Sequence, residues 1–157
     1  MSERLQPYHE TVRPEWVDYN GHMNVAYYVL VFDHATDATL DALGLGETYR
    51  IVHGCSVFVG DMHVTYRQEV GAGDALIVTT RLLARDAKRL ILFHEMRSNG
   101  GDGVVASNEV LCVHVDLATR RSAPWPQEGA ASLDRALAAD GRDSPPLLAG
   151  RSVRLPA

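Results

Sequence analysis

Between Glu15 and Asn24 the chain reads EWVDYNGHMN, which sets an acid, an amide and an imidazole at alternate positions, Asp18, Asn20 and His22, directly ahead of the apolar run VAYYVLVF. A carboxylate in such a place has two chemical uses: it can attack an acyl carbon, or deprotonate a water that does so. If a helix starts just after it, the free amides of the first turn carry partial positive charge and can hold the oxyanion that either route creates. Ester or thioester hydrolysis is the reaction such an arrangement suits. Asn20 would orient the water or the carboxylate, and His22 would assist proton transfer or simply tie the loop down. Gly21 permits the turn between them. The same letters also build an ordinary Asx-turn that caps a helix.

The elements that must position these groups follow from periodicity. The run from Val25 to Phe32 is apolar on every side, but Asp33, Asp37 and Asp41 then recur every fourth residue as one polar stripe, so the segment is a helix. Asn24 is its expected N-cap and Gly44, followed by Gly46, its expected stop. Val57–Val70, Ala75–Arg85, Arg89–Ser98 and Val104–Leu117 are rich in β-branched and long apolar residues and read as strands. The turn-like separators GAGD (Gly71–Asp74), DAK (Asp86–Lys88) and NGGDG (Asn99–Gly103) predict antiparallel hairpins. Tyr8–Arg13 adds a first strand. Pro126–Ala139 adds a last helix that stops at Asp140-Gly141. The expected fold class is α+β, an antiparallel sheet wrapped around one long central helix. Residues 1–141 form the single domain with its short C-terminal helix, and 142–157 form a Pro-rich tail read as a flexible end. A single curved sheet around one helix leaves edge strands unpaired, so the chain is expected to be at least a homodimer.

Composition narrows the function. A chain of 157 residues suits one domain, because that length buries roughly 70% of its unfolded surface. A formal charge of −5 argues against broad nucleic-acid binding, and the polar start MSERLQPYHE, with no apolar run of spanning length, makes the cytoplasm the expected location and the membrane an unexpected partner. Cys55 and Cys112 form no CxxC, and the seven histidines form no HExxH, so neither a disulfide nor a metal is expected. GCS at Gly54–Ser56 leads into a strand and is no nucleophile elbow, and GAG at Gly71–Gly73 lacks the third glycine of a dinucleotide fingerprint. No cofactor is expected.

The segment EWVDYNGHMNVAYY resembles the loop-to-helix segment of hotdog-fold acyl-CoA thioesterases of the 4-hydroxybenzoyl-CoA thioesterase type, and Asp18 falls on that family's catalytic acid. Asp18, Asn20 and His22 are also similar to the Asp-x-Asn-x-His motif of acyl-carrier-protein thioesterases in the same superfamily. The resemblance runs from about Tyr8 to Leu117. It implies that the amide near Val25 polarises the thioester carbonyl, that coenzyme A is part of the substrate rather than a cofactor, and that the active site lies at the interface of a homodimer or dimer of dimers. The longer stretch VRPEWVDYNGHMNVAYYVLVFDHATDATLDALG, with HVDLATRRSAP near the end, resembles the thioesterases of bacterial carnitine degradation, which implies a small acyl-CoA, betainyl-CoA, as substrate. Trp16, Tyr19, Tyr27 and Tyr28 crowd the motif and are either core or faces for a quaternary ammonium. By the same resemblance His63 and Glu69 lie in the strand along the helix and dimer seam and are candidates to line the pocket. Glu95, Glu109 and His114 read as exposed-face or interface residues. Arg85, Lys88 and Arg89 around one hairpin, and Arg120-Arg121, are candidates for the coenzyme A phosphates. Two rivals stand: a hotdog hydratase or dehydratase, and a silent acyl-CoA-binding hotdog protein.

Overall fold

Helix α1 (Val25–Ala42) starts where its cap was expected: the Asn24 side chain accepts from the Ala26 amide at 3.0 Å, and the helix ends ahead of Gly44, whose φ of 74° suits glycine. The computed structural model describes residues 4–141 and 143–156. The remaining elements are β1 (Tyr8–Thr11), a 3-10 turn (Pro14–Trp16), α2 (Glu47–His53), β2 (Cys55–Tyr66), β3 (Ala75–Arg85), β4 (Arg89–Ser98), β5 (Ala106–Asp116), β6 (Arg121–Ser122) and α3 (Gln127–Asp140). The expectation of one long helix with a short terminal one is therefore amended to three. Helix α2 has no sequence signature because ETYRIVH spans only two turns, too few for a period to show.

All strands join one antiparallel sheet in the order β1-β3-β4-β5-β2, with β6 beside β5. The β3–β4 and β4–β5 hairpins match the sequence. GAGD does not: β2 pairs with β5, from Cys55 opposite Asp116 to Tyr66 opposite Ala106, so Gly71–Asp74 turns no hairpin. Residues 67–74 instead cross the end of the sheet. Arg67 and Gln68 donate to Val105 O, Val70 O accepts from Met23, and Asp74 O accepts from Val12. Turn residues fix a local reversal, but not which strand the chain returns to.

Two apolar clusters fill the space between sheet and helices. One gathers Trp16, Met23, Tyr28, Val31, Phe32, Val78 and Met96; the other gathers Leu40, Leu43, Leu82, Leu90, Leu92 and Leu133. Each fully buried large side chain here contributes roughly 1.5–3 kcal/mol. Thr80, His94 and Asn108 stand side by side across three strands, buried among these clusters. The Thr36 hydroxyl donates to Phe32 O, so it can only accept from His94 Nε2–H at 2.9 Å, and His94 Nδ1 then accepts from Thr80 at 2.8 Å. Burial pushes His94 down to about 4, which keeps this bridge neutral.

Helix α3 lies against β3. Its Asp140 carboxylate accepts from the Leu82 amide at the β3 bulge, and the Arg81 guanidinium donates to Asp140 O, Asp143 O and Ser144 O, covering the helix C-terminus. Further on, the Gly150 amide donates to Glu109 Oε2 at 2.6 Å, which ties the tail to β5. Arg142, the expected start of that tail, and Ala157 lie outside the described residues.

Candidate active site

The loop between β1 and α1 is a small closed structure. Val17 and Met23 form an isolated bridge, Asp18 N donates to His22 O at 3.2 Å, and Gly21 N donates to Asp18 O at 3.0 Å. Gly21 has φ 83°, a conformation that opposes any side chain. Met23 N to Val70 O at 2.8 Å and Asn24 N to Trp16 O at 2.9 Å fasten the loop to the segment after β2 and to the 3-10 turn.

The half-buried Asp18 carboxylate is held at both oxygens. Oδ1 accepts from Asn20 N at 2.8 Å, which is an Asx-turn, and Oδ2 accepts from Asn24 Nδ2 at 3.0 Å. Asp18 does not cap the helix; Asn24 does, and its one amide group joins the first turn of α1 to the carboxylate. The sequence marks Asn24 as the cap but does not show this link, because the pattern reveals one use of a side chain and not two. Each Asp18 oxygen keeps a lone pair for a further partner. The Val25 amide donates no hydrogen bond among the described residues, and Val25 is exposed, so the helix N-terminus offers a donor beside the carboxylate.

The other expected residues divide. His22 turns away from Asp18: its Nδ1 lies 3.4 Å from Met23 O and its Nε2 3.4 Å from Glu69 Oε2, so Glu69 reaches the loop through His22. Asn20 is exposed and approaches Asp18 through its backbone. Trp16 and Tyr28 are buried in the core at 4% and 3% exposure. Tyr27 stacks on Trp16 with centroids 5.4 Å apart, Arg13 lies 5.2 Å from the Trp16 ring, and Tyr19 stands in solvent. These four aromatics do not form one cage within the protomer. His63 is opposite Glu109 in a groove with Asp61 and Arg151, on the face of β2 turned from the core, because Val64 beside it packs inwards. His114 is buried, not exposed as expected: its Nδ1–H donates to Ala123 O, and Nε2 accepts from the Tyr49 hydroxyl, both at 2.8 Å.

The β3–β4 hairpin is occupied with itself. Arg85 closes both arms of its guanidinium on Asp134 at 2.7 Å each, and Arg89 pairs with Asp86 at 2.6 Å. The Arg89 hydrogen bond first, then the Lys88 amide, holds Asp86 down to about 2. Only the Lys88 ammonium of the three cations lacks an ion-pair partner among the described residues. The hairpin is also distant: Thr11, seven residues before Asp18, pairs with Ala75, and Arg85 lies ten residues further along β3, roughly 30 Å at the rise of a strand. Arg120, just before β6, and Arg121, its first residue, are exposed. No cluster of His, Cys, Asp or Glu that could hold a metal occurs among the described residues, and both cysteines are free. No helix among them is long and apolar enough to cross a membrane.

The profile of the Thioesterase-like superfamily matches residues 12–136. Betainyl-CoA thioesterase of Pseudomonas aeruginosa is 41% identical over 157 residues, covering 99% of this chain and 98% of the relative. The L-carnitine dehydrogenase/betainyl-CoA thioesterase of Agrobacterium fabrum is 41% identical over 119 residues, 76% of this chain but 24% of that longer protein. A Staphylococcus aureus protein solved in complex with CoA superposes with a TM-score of 0.91 at 27% identity, covering 99% of this chain and 98% of its own. With its α+β hotdog sheet, the acid at the head of α1 and a family match across most of its length, the chain belongs to the Thioesterase-like superfamily and is an acyl-CoA thioester hydrolase.

Proposed function

We propose that this enzyme hydrolyses betainyl-CoA to betaine and CoA, with Asp18 as the reacting carboxylate and the Val25 amide as oxyanion donor. The observation that carries the mechanism is the Asn24 side chain, which binds Ala26 N with one atom and Asp18 Oδ2 with another and so fixes the carboxylate relative to the helix N-terminus. Asp18 either takes a proton from water as its oxygen bonds to the thioester carbon, or attacks that carbon itself to give an anhydride that water opens. In both routes negative charge gathers on the carbonyl oxygen against the Val25 amide, and the C–S bond breaks to release the CoA thiolate, which is then protonated. Support for the acyl group comes from the Pseudomonas aeruginosa relative and its coverage of the whole chain.

The proposed assembly is a two-fold homo-oligomer through β2. That strand is twelve residues long, pairs on one side only among the described residues, and exposes Phe58, Val59 and Met62. An antiparallel partner there reverses strand direction, so the hairpin around Lys88 of a second copy comes to the same end of the joined sheet as Asp18. Such a pairing would give the phosphates of CoA a cation that the single protomer holds too far away.

Thiol release from a panel of saturated and unsaturated acyl-CoAs tests the function. Release of CoA from betainyl-CoA in preference to the uncharged, similarly shaped 3,3-dimethylbutyryl-CoA, after correction for their intrinsic hydrolysis rates, is the expected result. Release from neither, with hydration of an enoyl-CoA instead, contradicts it.

A further inference from the structure

We infer that Tyr66, on β2, is the specificity-determining residue that receives the cationic end of the acyl group. The inference rests on the betainyl-CoA reading. In that substrate the quaternary nitrogen is two bonds from the reacting carbonyl carbon, so whatever recognises it must stand close to the oxyanion donor. Its recognition by an aromatic face requires the ring within about 6 Å of the cation. Trp16 and Tyr28 are in the core, Tyr27 is stacked on Trp16, and the side chain of Tyr19 stands free in solvent at 97% exposure with nothing to fix it. Tyr66 is hydrogen-bonded to the residue that carries that donor. Its hydroxyl donates to Val25 O at 3.0 Å, which anchors the ring on the same residue whose amide faces the substrate.

Two further observations fit a ring prepared for a ligand. Tyr28 packs against Tyr66 with centroids 5.2 Å apart and planes at 89°, so the orientation of the ring is fixed before any substrate arrives. Yet Tyr66 stays 44% exposed, on an inward-facing position of β2 beyond Val64. Tyr28 itself is anchored by its hydroxyl to Gln68 O at 3.1 Å, which makes the pair a rigid corner rather than a mobile surface group. Asp18 is joined through Asn24 to the first turn of the helix that Tyr66 touches, Glu69 follows three residues after Tyr66 and contacts His22, and their charge favours a cation over a neutral group of the same shape.

The test uses the full chain and two substrates, betainyl-CoA and 3,3-dimethylbutyryl-CoA, and reads the ratio of their kcat/KM values. Tyr66→Leu should lower that ratio at least about fivefold, the size of a partly desolvated cation–π contact, chiefly through betainyl-CoA. Tyr66→Phe loses the bond to Val25 O but keeps the ring, so it should hold the ratio within about twofold of the wild type. A purely structural anchor behaves differently: both variants would depress both substrates together and leave the ratio unchanged, which overturns the inference while the substrate reading stands. A wild-type enzyme that does not prefer the cation removes the substrate reading, and the inference with it.

Discussion

The two ends of the sheet carry polar clusters of similar composition but opposite economy. At the hairpin end, Asp86 accepts from Lys88 N, Arg89 N and the Arg89 guanidinium, and Arg85 is closed on Asp134. Its charges are spent on one another. At the loop end, Asp18 has two donors and capacity for more, the Val25 amide is unbound among the described residues, and the His22 ring makes only contacts of 3.4 Å among them. Polar groups that saturate one another hold a fold together, whereas groups left partly unsatisfied, yet rigidly placed, are available to a substrate. From charge alone the hairpin is the more conspicuous cluster, and from geometry the loop is the one with donors and acceptors left open.

Substitutions sharpen that contrast. Asn24→Ser keeps an oxygen for the Ala26 amide but replaces the separate amide donor to Asp18 with a shorter hydroxyl on the same atom, which misaligns the carboxylate, so kcat should fall by about tenfold or more with little change in Tm. Asn24→Ala should lose the cap as well and cost about 1 kcal/mol of stability, read by denaturant unfolding. Equal kcat in wild type and Asn24→Ser would mean that the carboxylate needs no alignment.

His94 belongs to the saturated kind, and its effect is on stability. Its folded value of about 4 lies below the ordinary 6.5, so above pH 6.5 it is neutral in both states and its contribution is complete. As pH falls from 6.5 towards 4 the unfolded chain takes up a proton that the folded chain refuses. Stability should therefore drop across that window, by up to roughly 3 kcal/mol, and His94→Leu should flatten this part of the profile. A slope unchanged by the substitution would assign it to other groups.

The smallest effects belong to the hairpin. Lys88→Ala should raise KM for CoA thioesters a few-fold at constant kcat, the pattern of a binding contact far from the reacting carbon, while Arg85→Ala should leave KM alone and lower Tm. A rise in KM for Arg85→Ala equal to that for Lys88→Ala would show that the pair with Asp134 opens for substrate, and would break the comparison.

Much of this was legible in the sequence where local rules decide. The polar stripe of Asp33, Asp37 and Asp41 gave α1 its length, and Pro126 and Gly141 bracketed α3 within a residue. The crossing of β2 to the far edge was not legible, since strand partners are chosen by packing over the whole sheet and GAGD looks the same in a hairpin or a crossing. At the site, the spacing singled out the loop of Asp18, Asn20 and His22 but could not say which way each side chain turns. Nothing in the sequence marks Tyr66, which lies 41 residues from Val25 in the chain and meets it only after folding.

The central claim is that the Asp18 carboxylate, held by Asn24 at the head of α1, does the chemistry. Single-turnover thiol release by Asp18→Asn, in protein whose circular dichroism and oligomeric state match the wild type, tests it most directly. The amide can keep the turn but can neither attack the thioester nor accept the proton of water, so the rate should fall by on the order of 100-fold or more. A folded Asp18→Asn enzyme that releases CoA at close to the wild-type rate would contradict the account.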